Sequence, residues 1–412
     1  MAAHGESLKW DDYVPAPIPD EQNFYQAPMM TEWFVKSTNR SSIIPFNSAM
    51  SNPATLTNFF DEIGASNYLA WSAAFEPEFD QIRTALKRPE ARMDGDYSKP
   101  FMEPVPNFVT LRAISQLLGH RAKCHLLLGE PAKALEDLTL LYDLNQLLVK
   151  NQKSALLVTA MIHTAVAAVY TDAIGCGIES HAWQDAQLAA LQKQLAGIHL
   201  LPLAVSSFHN EQAHLNHLFD TSSLEKIMRG NSPSRSDLGW WFVPSGWVYQ
   251  NKALIVTIQE QASATVNLTN ETISPALSKA ASASNERRFS HLTPWNYLAA
   301  MTTPNYGKAF ETAARNQTWV DQAQIACAME RYRLANGNYP ATLTALVPRY
   351  LEVIPHDIIT GKPMPYQRIS EQEYKLYSVG WNEIDEGGVT VVDSGGKEDR
   401  DHGDWVWHSP EQ

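Results

Sequence analysis

The chain has 412 residues, which is enough for two or three domains, and its 44% hydrophobic content is typical of a globular protein. Its formal net charge of -13 excludes nucleic acid as an expected partner, because an acidic surface repels a polyanion. The cysteines Cys124, Cys176 and Cys327 have neither zinc-binding nor redox spacing. We interpret them as buried small hydrophobic residues, with one disulfide bond as the alternative.

Residues 1–55 predict an extended N-terminal arm. The run from Val14 to Pro19 contains three prolines and cannot be helical, and Phe24, Trp33 and Phe34 are suitable anchors on the rest of the protein. The chain begins like the middle of a helix, so we expect that an N-terminal anchor or signal has been removed; a natural start is the alternative. No run of about eighteen apolar residues is present, so membrane contact is expected only through that anchor.

Residues 56–295 predict an all-α domain. Gly129 closes one helix and Pro131 begins the next, which predicts a helical hairpin. The hairpin resembles one tetratricopeptide-type unit, and this resemblance implies a protein or peptide partner. The residues at the spacing of that repeat are Leu118, Ala122, Gly129, Ala134 and Leu138.

The second half of this domain is less regular. Further helices are expected over residues 185–195, 204–219 and 250–285. Between Trp240 and Trp247 the chain has three tryptophans and one phenylalanine. This segment is either a binding surface or a loop packed against the core, and the second interpretation is favoured.

Residues 296–412 predict a small α+β module. A long helix is expected over about 306 to 335, because Asn336-Gly337 is a helix stop signal and Tyr339-Pro340 is a bend. A short helix, paired antiparallel strands and an acidic, Gly-rich loop follow. The predicted fold is therefore mainly α, with a helical body followed by a long helix and a short antiparallel sheet.

This order of motifs resembles the soluble domain of the major pseudopilins of type II secretion systems. The helix ends in Tyr-x-x-x-Asn-Gly-x-Tyr-Pro, and the later motifs follow in the same order as in that family. They are Leu-x-x-Leu-Val at 343–347, Pro-x-Asp at 355–357, Pro-x-x-Tyr at 363–366, Tyr-Ser-x-Gly at 377–380 and Asp-x-Asp-x-x-x-Trp at 399–405. The whole chain resembles bacterial extracytoplasmic proteins that append such a tail to a helical body, which implies a periplasmic or cell-surface location.

The pseudopilin resemblance implies a structural calcium site in the acidic loop. Asn382 stands at the place of a ligand aspartate, Asp399 and Asp401 match two late carboxylates, and carbonyls near Leu376 and Ser378 complete the shell. Asp385 is added from the residues alone, because calcium takes about six to eight oxygen ligands. Repulsion among the carboxylates favours a bound cation. A solvated acidic loop without metal is the alternative.

A second, speculative metal site is Glu211, His214 and His217, which share one side of a predicted helix. A carboxylate and imidazoles at this spacing can bind zinc or iron. The sequence lacks a His-Glu-x-x-His motif and a matching second helix, so a polar helix face is the favoured interpretation.

The sequence favours an extracytoplasmic binding or scaffold protein with a structural calcium site, tethered to a membrane in its native form. The alternative is a hydrolase with an active site in or beside the helical domain. A scaffold predicts an exposed apolar surface, whereas a hydrolase predicts a concave pocket where His, Asp or Glu side chains converge.

Overall fold

The structure, a computed structural model, describes residues 9–35, 61–97, 104–150, 156–220, 244–303, 305–392, 395 and 398–407. These residues are mainly helical with a few short antiparallel strands, as the sequence predicts. The helices are α1 Met30–Phe34, α2 Glu62–Ser72, α3 Glu76–Ala85, α4 Phe108–Leu127, α5 Pro131–Val149, α6 Leu157–Glu179, α7 Asp185–Leu195, α8 Leu200–Asp220, α9 Ser245–Ser263, α10 Pro275–Phe289, α11 Tyr297–Thr302 and α12 Tyr306–Asn336. The strands are β1 Val266–Asn267, β2 Thr272–Ile273, β3 Tyr366–Arg368, β4 Tyr374–Ser378, β5 Thr390–Val392, β6 Glu398–Gly403 and β7 Trp405–Val406.

The described part of the N-terminal arm is folded against the helical body. Phe24, Trp33 and Phe34 are buried and belong to the largest core cluster, together with residues of α4 and α5. Asn23 holds the arm through two hydrogen bonds to the backbone of Arg92. Its side-chain amide donates to the Arg92 carbonyl (2.8 Å), and its side-chain oxygen accepts from the Arg92 amide (3.0 Å).

Helices α4 and α5 pack against each other at the place predicted for the hairpin. Gly129 adopts a φ of 71° in the turn between them, a conformation that favours glycine. Ala122 and Ala134 are fully buried, as expected for small residues where two helices approach closely. The likeness to a tetratricopeptide unit stays a prediction.

Gly177 marks a tight contact between α6 and the segment that follows it. Trp183 is almost fully buried, and its Nε1 donates to the carbonyl of Ile174 (3.1 Å). A Cβ atom on residue 177 would overlap the indole ring of Trp183. Glycine at this position therefore allows the ring to reach the core.

We expect Gly177→Ala to lower the free energy of unfolding by about 1–3 kcal/mol, because the indole ring must leave its position. Gly246→Ala is the matched control: residue 246 is also helical, but no atom lies within 4 Å of an added Cβ. The control should be neutral or stabilising by up to about 1 kcal/mol. Urea unfolding measures both, and equal midpoints for the two variants would contradict the contact.

The helix predicted over residues 250–285 is interrupted by a hairpin, so that prediction is wrong in its middle. Strands β1 and β2 pair antiparallel between α9 and α10. The Asn267 side chain accepts from the amides of Thr269 (3.0 Å) and Asn270 (3.2 Å). Such a bond stabilises a turn at the expense of helix, and the β-branched residues of both strands favour extended backbone.

The long helix α12 matches its predicted span closely. It ends at Gly337, which has a φ of 82° and donates its amide to the carbonyl of Arg333 (2.7 Å). Beyond it lie a three-stranded sheet in the order β3-β4-β7 and the pair β5-β6. Gln322 on α12 donates to the carbonyl of Trp405 (2.8 Å) and so joins the helix to β7.

The largest core cluster combines residues from both sides of residue 296. It contains Ile114 and Ile174 from the helical body together with Cys327, Leu346 and Trp407 from the C-terminal region. Helix α12 packs along α6, α7 and α8. The C-terminal region and the body therefore share one core.

All three cysteines are free; Cys124 and Cys327 are buried, whereas Cys176 is half-buried. Two helical stretches, Leu157–Glu179 and Asp185–Leu218, are long and apolar enough to cross a membrane. Of their apolar windows, 56% and 50% are buried inside the fold. Because core helices show the same pattern, these stretches are weak support for a membrane span.

Candidate functional site

The acidic loop begins after β4 and returns to the sheet at β7. At its base the chain crosses itself at Gly380 and Gly403, which have φ angles of 70° and 81°. A Cβ atom on Gly380 would overlap the carbonyl oxygen of Gly403. Glycine therefore allows this crossing, which brings the turn at 381–388 against Asp404.

Asp404 is the buried anchor of the loop. Its carboxylate accepts hydrogen bonds from the amides of Gly388 (2.6 Å), Val389 (3.1 Å) and Glu386 (3.4 Å). Burial raises the pKa of Asp404, the three amides act in the opposite direction, and the charge of Glu386 raises it further. The aspartate thus organises the turn through the backbone.

Glu386 brings a second carboxylate to the same place. Its Oε1 accepts from the side-chain amide of Asn382 (2.6 Å), whereas its Oε2 is buried and has no hydrogen-bond partner among the described residues. Glu386 is close enough to Asp404 for its charge to raise the pKa of Asp404. A cation bound here would give the unpartnered oxygen a partner and would offset the repulsion between the two carboxylates. Burying a charged group without a partner costs free energy.

Of the predicted calcium ligands, the three aspartates make separate interactions. Asp385 accepts from the hydroxyl of Tyr377 (3.1 Å) and from the amide of Gly387 (2.9 Å). Asp399 is hydrogen-bonded to the His402 ring (2.9 Å), which lowers the pKa of Asp399, and Asp401 lies 3.6 Å from the Lys308 ammonium. Within the described ranges, no three His, Cys, Asp or Glu side chains form a group that could hold a metal ion. The ligand assignment stays a prediction.

The other oxygens proposed for the site also have partners. The side-chain oxygen of Asn382 accepts from the amide of Ile384 (3.0 Å), and the carbonyl of Leu376 accepts from the amide of Trp407 (2.9 Å). Asp393 and the side chain of Glu398, two more carboxylates of the loop, lie outside the described residues.

The sequence analysis missed the role of Asp357, a fully buried carboxylate beneath this loop. It accepts from the Ser378 hydroxyl (2.7 Å), the Ile359 amide (3.0 Å) and the Thr360 hydroxyl (3.1 Å). It thereby ties the turn at 357–360 to the end of β4. The available signal was an aspartate four residues before Gly361, since both residue types favour turns.

The residues of the second candidate site lie on α8, as predicted. Trp10 of the N-terminal arm packs against His214, with ring centres 5.2 Å apart, and stacks on His217 at 6.4 Å. His214 is buried, and Glu211 lies near Tyr306, where its charge adds to the effect of burial in raising the pKa of Tyr306. The two histidines therefore form a packing surface for the arm.

A cavity of about 290 Å³ opens between α7, the end of α12 and Tyr350. The Arg331 Nε donates to Asp185 (2.8 Å), and the guanidinium groups of Arg331 and Arg349 lie 5.5 and 5.2 Å from the centre of the Tyr350 ring. The charged lining is two arginines and one aspartate.

Residues 240–243 of the aromatic segment Trp240–Trp247 lie outside the described residues. Trp247 is half-buried and meets Trp295 edge to face, with ring centres 6.0 Å apart. Comparisons with protein-family models, curated proteins and solved structures find no match to this chain.

Proposed function

We propose that this is a bacterial extracytoplasmic binding or scaffold protein whose pseudopilin-like C-terminal module is stabilised by a structural calcium ion. The observation that carries the proposal is the buried, unpartnered Oε2 of Glu386 beside Asp404. The long helix that stops at Gly337 and the antiparallel sheet after it support the likeness of the module.

The calcium ion would act on folding. Glu386 and Asp404 would hold it, and the other proposed oxygen donors are Asn382, Asp385, Asp399 and Asp401. A bound ion ties the loop to the sheet, so its binding free energy becomes folding free energy. A periplasmic or cell-surface location, where calcium is plentiful, suits such a site.

We expect calcium added after EDTA to raise the melting temperature of the protein. An ion at about one hundred times its dissociation constant stabilises the native state by about 2.7 kcal/mol. Thermal melts of the wild type, of Glu386→Gln and of the double variant Asp399→Asn/Asp401→Asn measure this effect. Glu386→Gln keeps the side-chain volume and removes the charge, so it should lose the calcium response.

The second variant locates the site. If the response disappears in Asp399→Asn/Asp401→Asn as well, the late carboxylates of the predicted set also bind the ion. If the response survives there, the ion is held without Asp399 and Asp401. A wild-type melting temperature that neither EDTA nor calcium changes would remove the structural metal from the proposal.

The binding role also rests on the hairpin of α4 and α5. We propose that it is tetratricopeptide-like and contacts a protein or peptide. The fully buried Ala122 and Ala134 and the left-handed Gly129 support this likeness.

A further inference from the structure

Exposed aromatic residues are concentrated at one corner of the helical body. This aromatic corner consists of the side chains of Leu292, Trp295, Tyr297 and Met301, which are 59%, 48%, 41% and 60% exposed. They lie on α11 and on the loop between α10 and α11. Apart from Tyr249 on α9, every other tryptophan or tyrosine that the structure describes is buried or half-buried. The grouping of exposed side chains at the aromatic corner indicates an interaction site.

Hydrogen bonds join the backbone segments that carry the aromatic corner. The fully buried Asn251 on α9 donates to the carbonyl of Pro294 (2.9 Å) and accepts from the amide of Ala299 (3.0 Å). Asn296 donates to the carbonyls of Arg288 (2.8 Å) and His291 (2.9 Å). These bonds join α9, α10 and α11.

A small core supports the same frame from below. It contains the buried side chains of Leu298 and Ala299 from α11 together with Ile255 from α9. The aromatic rings above it are therefore presented on packed helices. These rings are therefore exposed in the folded protein.

The corner is bordered by positive charge in a chain that is strongly acidic. Arg287 and Arg288 lie in the last turn of α10, and Asn296, next to Trp295 in the chain, donates to the Arg288 carbonyl (2.8 Å). The sequence from Arg287 to Phe310 contains no Asp or Glu, although the whole chain has a net charge of -13. Among the described residues, neither Arg287 nor Arg288 forms an ion pair with a carboxylate.

We propose that the aromatic corner docks onto the surface of an anionic phospholipid bilayer. Tryptophan and tyrosine favour the boundary between lipid headgroups and acyl chains, where the ring is buried and the polar atom stays hydrated. Arginine and lysine beside them attract anionic headgroups. This contact is independent of the calcium site and of any N-terminal anchor, and it would orient the body on the membrane.

Vesicle flotation tests the contact. The full chain is mixed with vesicles of phosphatidylcholine alone and with vesicles of phosphatidylcholine and phosphatidylglycerol in equal parts. We expect flotation with the anionic vesicles and at least about tenfold weaker partitioning when Arg287 and Arg288 are both changed to Glu, since each basic residue contributes about 1 kcal/mol near an anionic surface. Added salt should weaken it in the same way.

Matched variants separate the corner from general effects. The triple change Trp295→Ser/Tyr297→Ser/Met301→Ser should abolish flotation, whereas Ile63→Ser/Val353→Ser/Ile369→Ser, at exposed apolar residues elsewhere, should leave it unchanged. Arg112→Glu/Lys193→Glu is the charge control, because both residues are exposed and far along the chain from the corner. Melting temperatures show that each variant is folded.

The proposal is overturned if the wild type floats with neither vesicle, or if the triple variant floats as the wild type does. Equal flotation with neutral and anionic vesicles would remove the role of Arg287 and Arg288. Concentration-dependent self-association that the triple variant abolishes, without flotation, would instead assign the corner to a second copy of the chain.

Discussion

Replacing Glu330 with alanine should lower the free energy of unfolding by about 3–5 kcal/mol, because it leaves buried partners without their acceptor. Glu330 is fully buried on α12. Its carboxylate accepts from Arg333 (2.6 and 2.8 Å), from the Tyr339 hydroxyl (2.9 Å) and from the ring of His181 (3.0 Å). One carboxylate thus joins the helical body to the C-terminal region.

The charge state of Glu330 supports a large effect. Burial by itself raises the pKa of this carboxyl group, but the hydrogen bonds and the charge of Arg333 outweigh it and hold the pKa below its usual value. The group is therefore ionised at neutral pH. Glu330→Gln keeps the shape but loses the charge, so we expect it to fall between the wild type and Glu330→Ala.

Urea unfolding at neutral pH compares these variants with His181→Ala and with the double variant. His181 is 43% exposed, so its removal should cost only about 0.5–1 kcal/mol. A double-mutant cycle then gives the coupling across the junction. Glu352→Ala, at an exposed acid, is the control. If Glu330→Ala had the same urea midpoint as this control, the cluster around Glu330 would not hold the helical body and the C-terminal region together.

The second large effect is a dependence of stability on pH that Asp321→Asn should remove. Asp321 is buried on α12, and burial raises its pKa to about 8, with further increases from the charges of Glu271 and Asp357. The hydrogen bond that it accepts from Gln317 (3.0 Å) lowers the pKa only in part.

The direction of the pH dependence follows from the number of protons that Asp321 binds in the native and in the unfolded state. Between pH values of about 4 and 8, native Asp321 keeps a proton that the unfolded chain has released. The stability present below the unfolded pKa is therefore lost as the pH rises, by up to about 1.4 kcal/mol per pH unit. Asparagine resembles the neutral acid and still accepts from Gln317, so the variant should gain stability relative to the wild type at higher pH.

Urea midpoints measured at several pH values between 5 and 8 test this expectation. The difference between Asp321→Asn and the wild type should be small at the acidic end and should grow as the pH rises. Glu352→Gln, an exposed acid, is the control and should run parallel to the wild type. Parallel curves for Asp321→Asn would show that this carboxyl group is ionised in the native state.

The sequence predicted those features that depend on neighbouring residues. Gly129 with Pro131 predicted the turn between α4 and α5, and Asn336-Gly337 predicted the end of α12. Local chemistry decides both, because a left-handed residue and a missing amide act within one helical turn. The missed hairpin at Asn267 is also local, but its turn signal lies within a longer helical pattern.

The candidate site was predicted less well because its decisive contacts join distant residues. Asp404 reaches back to the amides at 386–389, and Trp10 covers histidines about two hundred residues later on α8. No spacing rule links such positions, since their distances depend on how the sheet and the helices pack. Composition identified an acidic loop, but it did not show which carboxylates meet.

The place of Trp405 and Trp407 has a consequence for biosynthesis. Both rings are buried, Trp407 in the cluster that fills the helical body and Trp405 in the cluster around α8 and α12. During translation the body is made long before these residues leave the ribosome, so its hydrophobic interior cannot close until synthesis has passed them. We therefore expect nascent chains that stop before β4 to be protease-sensitive and to depend on chaperones, whereas a chain whose body folded as it emerged would need no such protection.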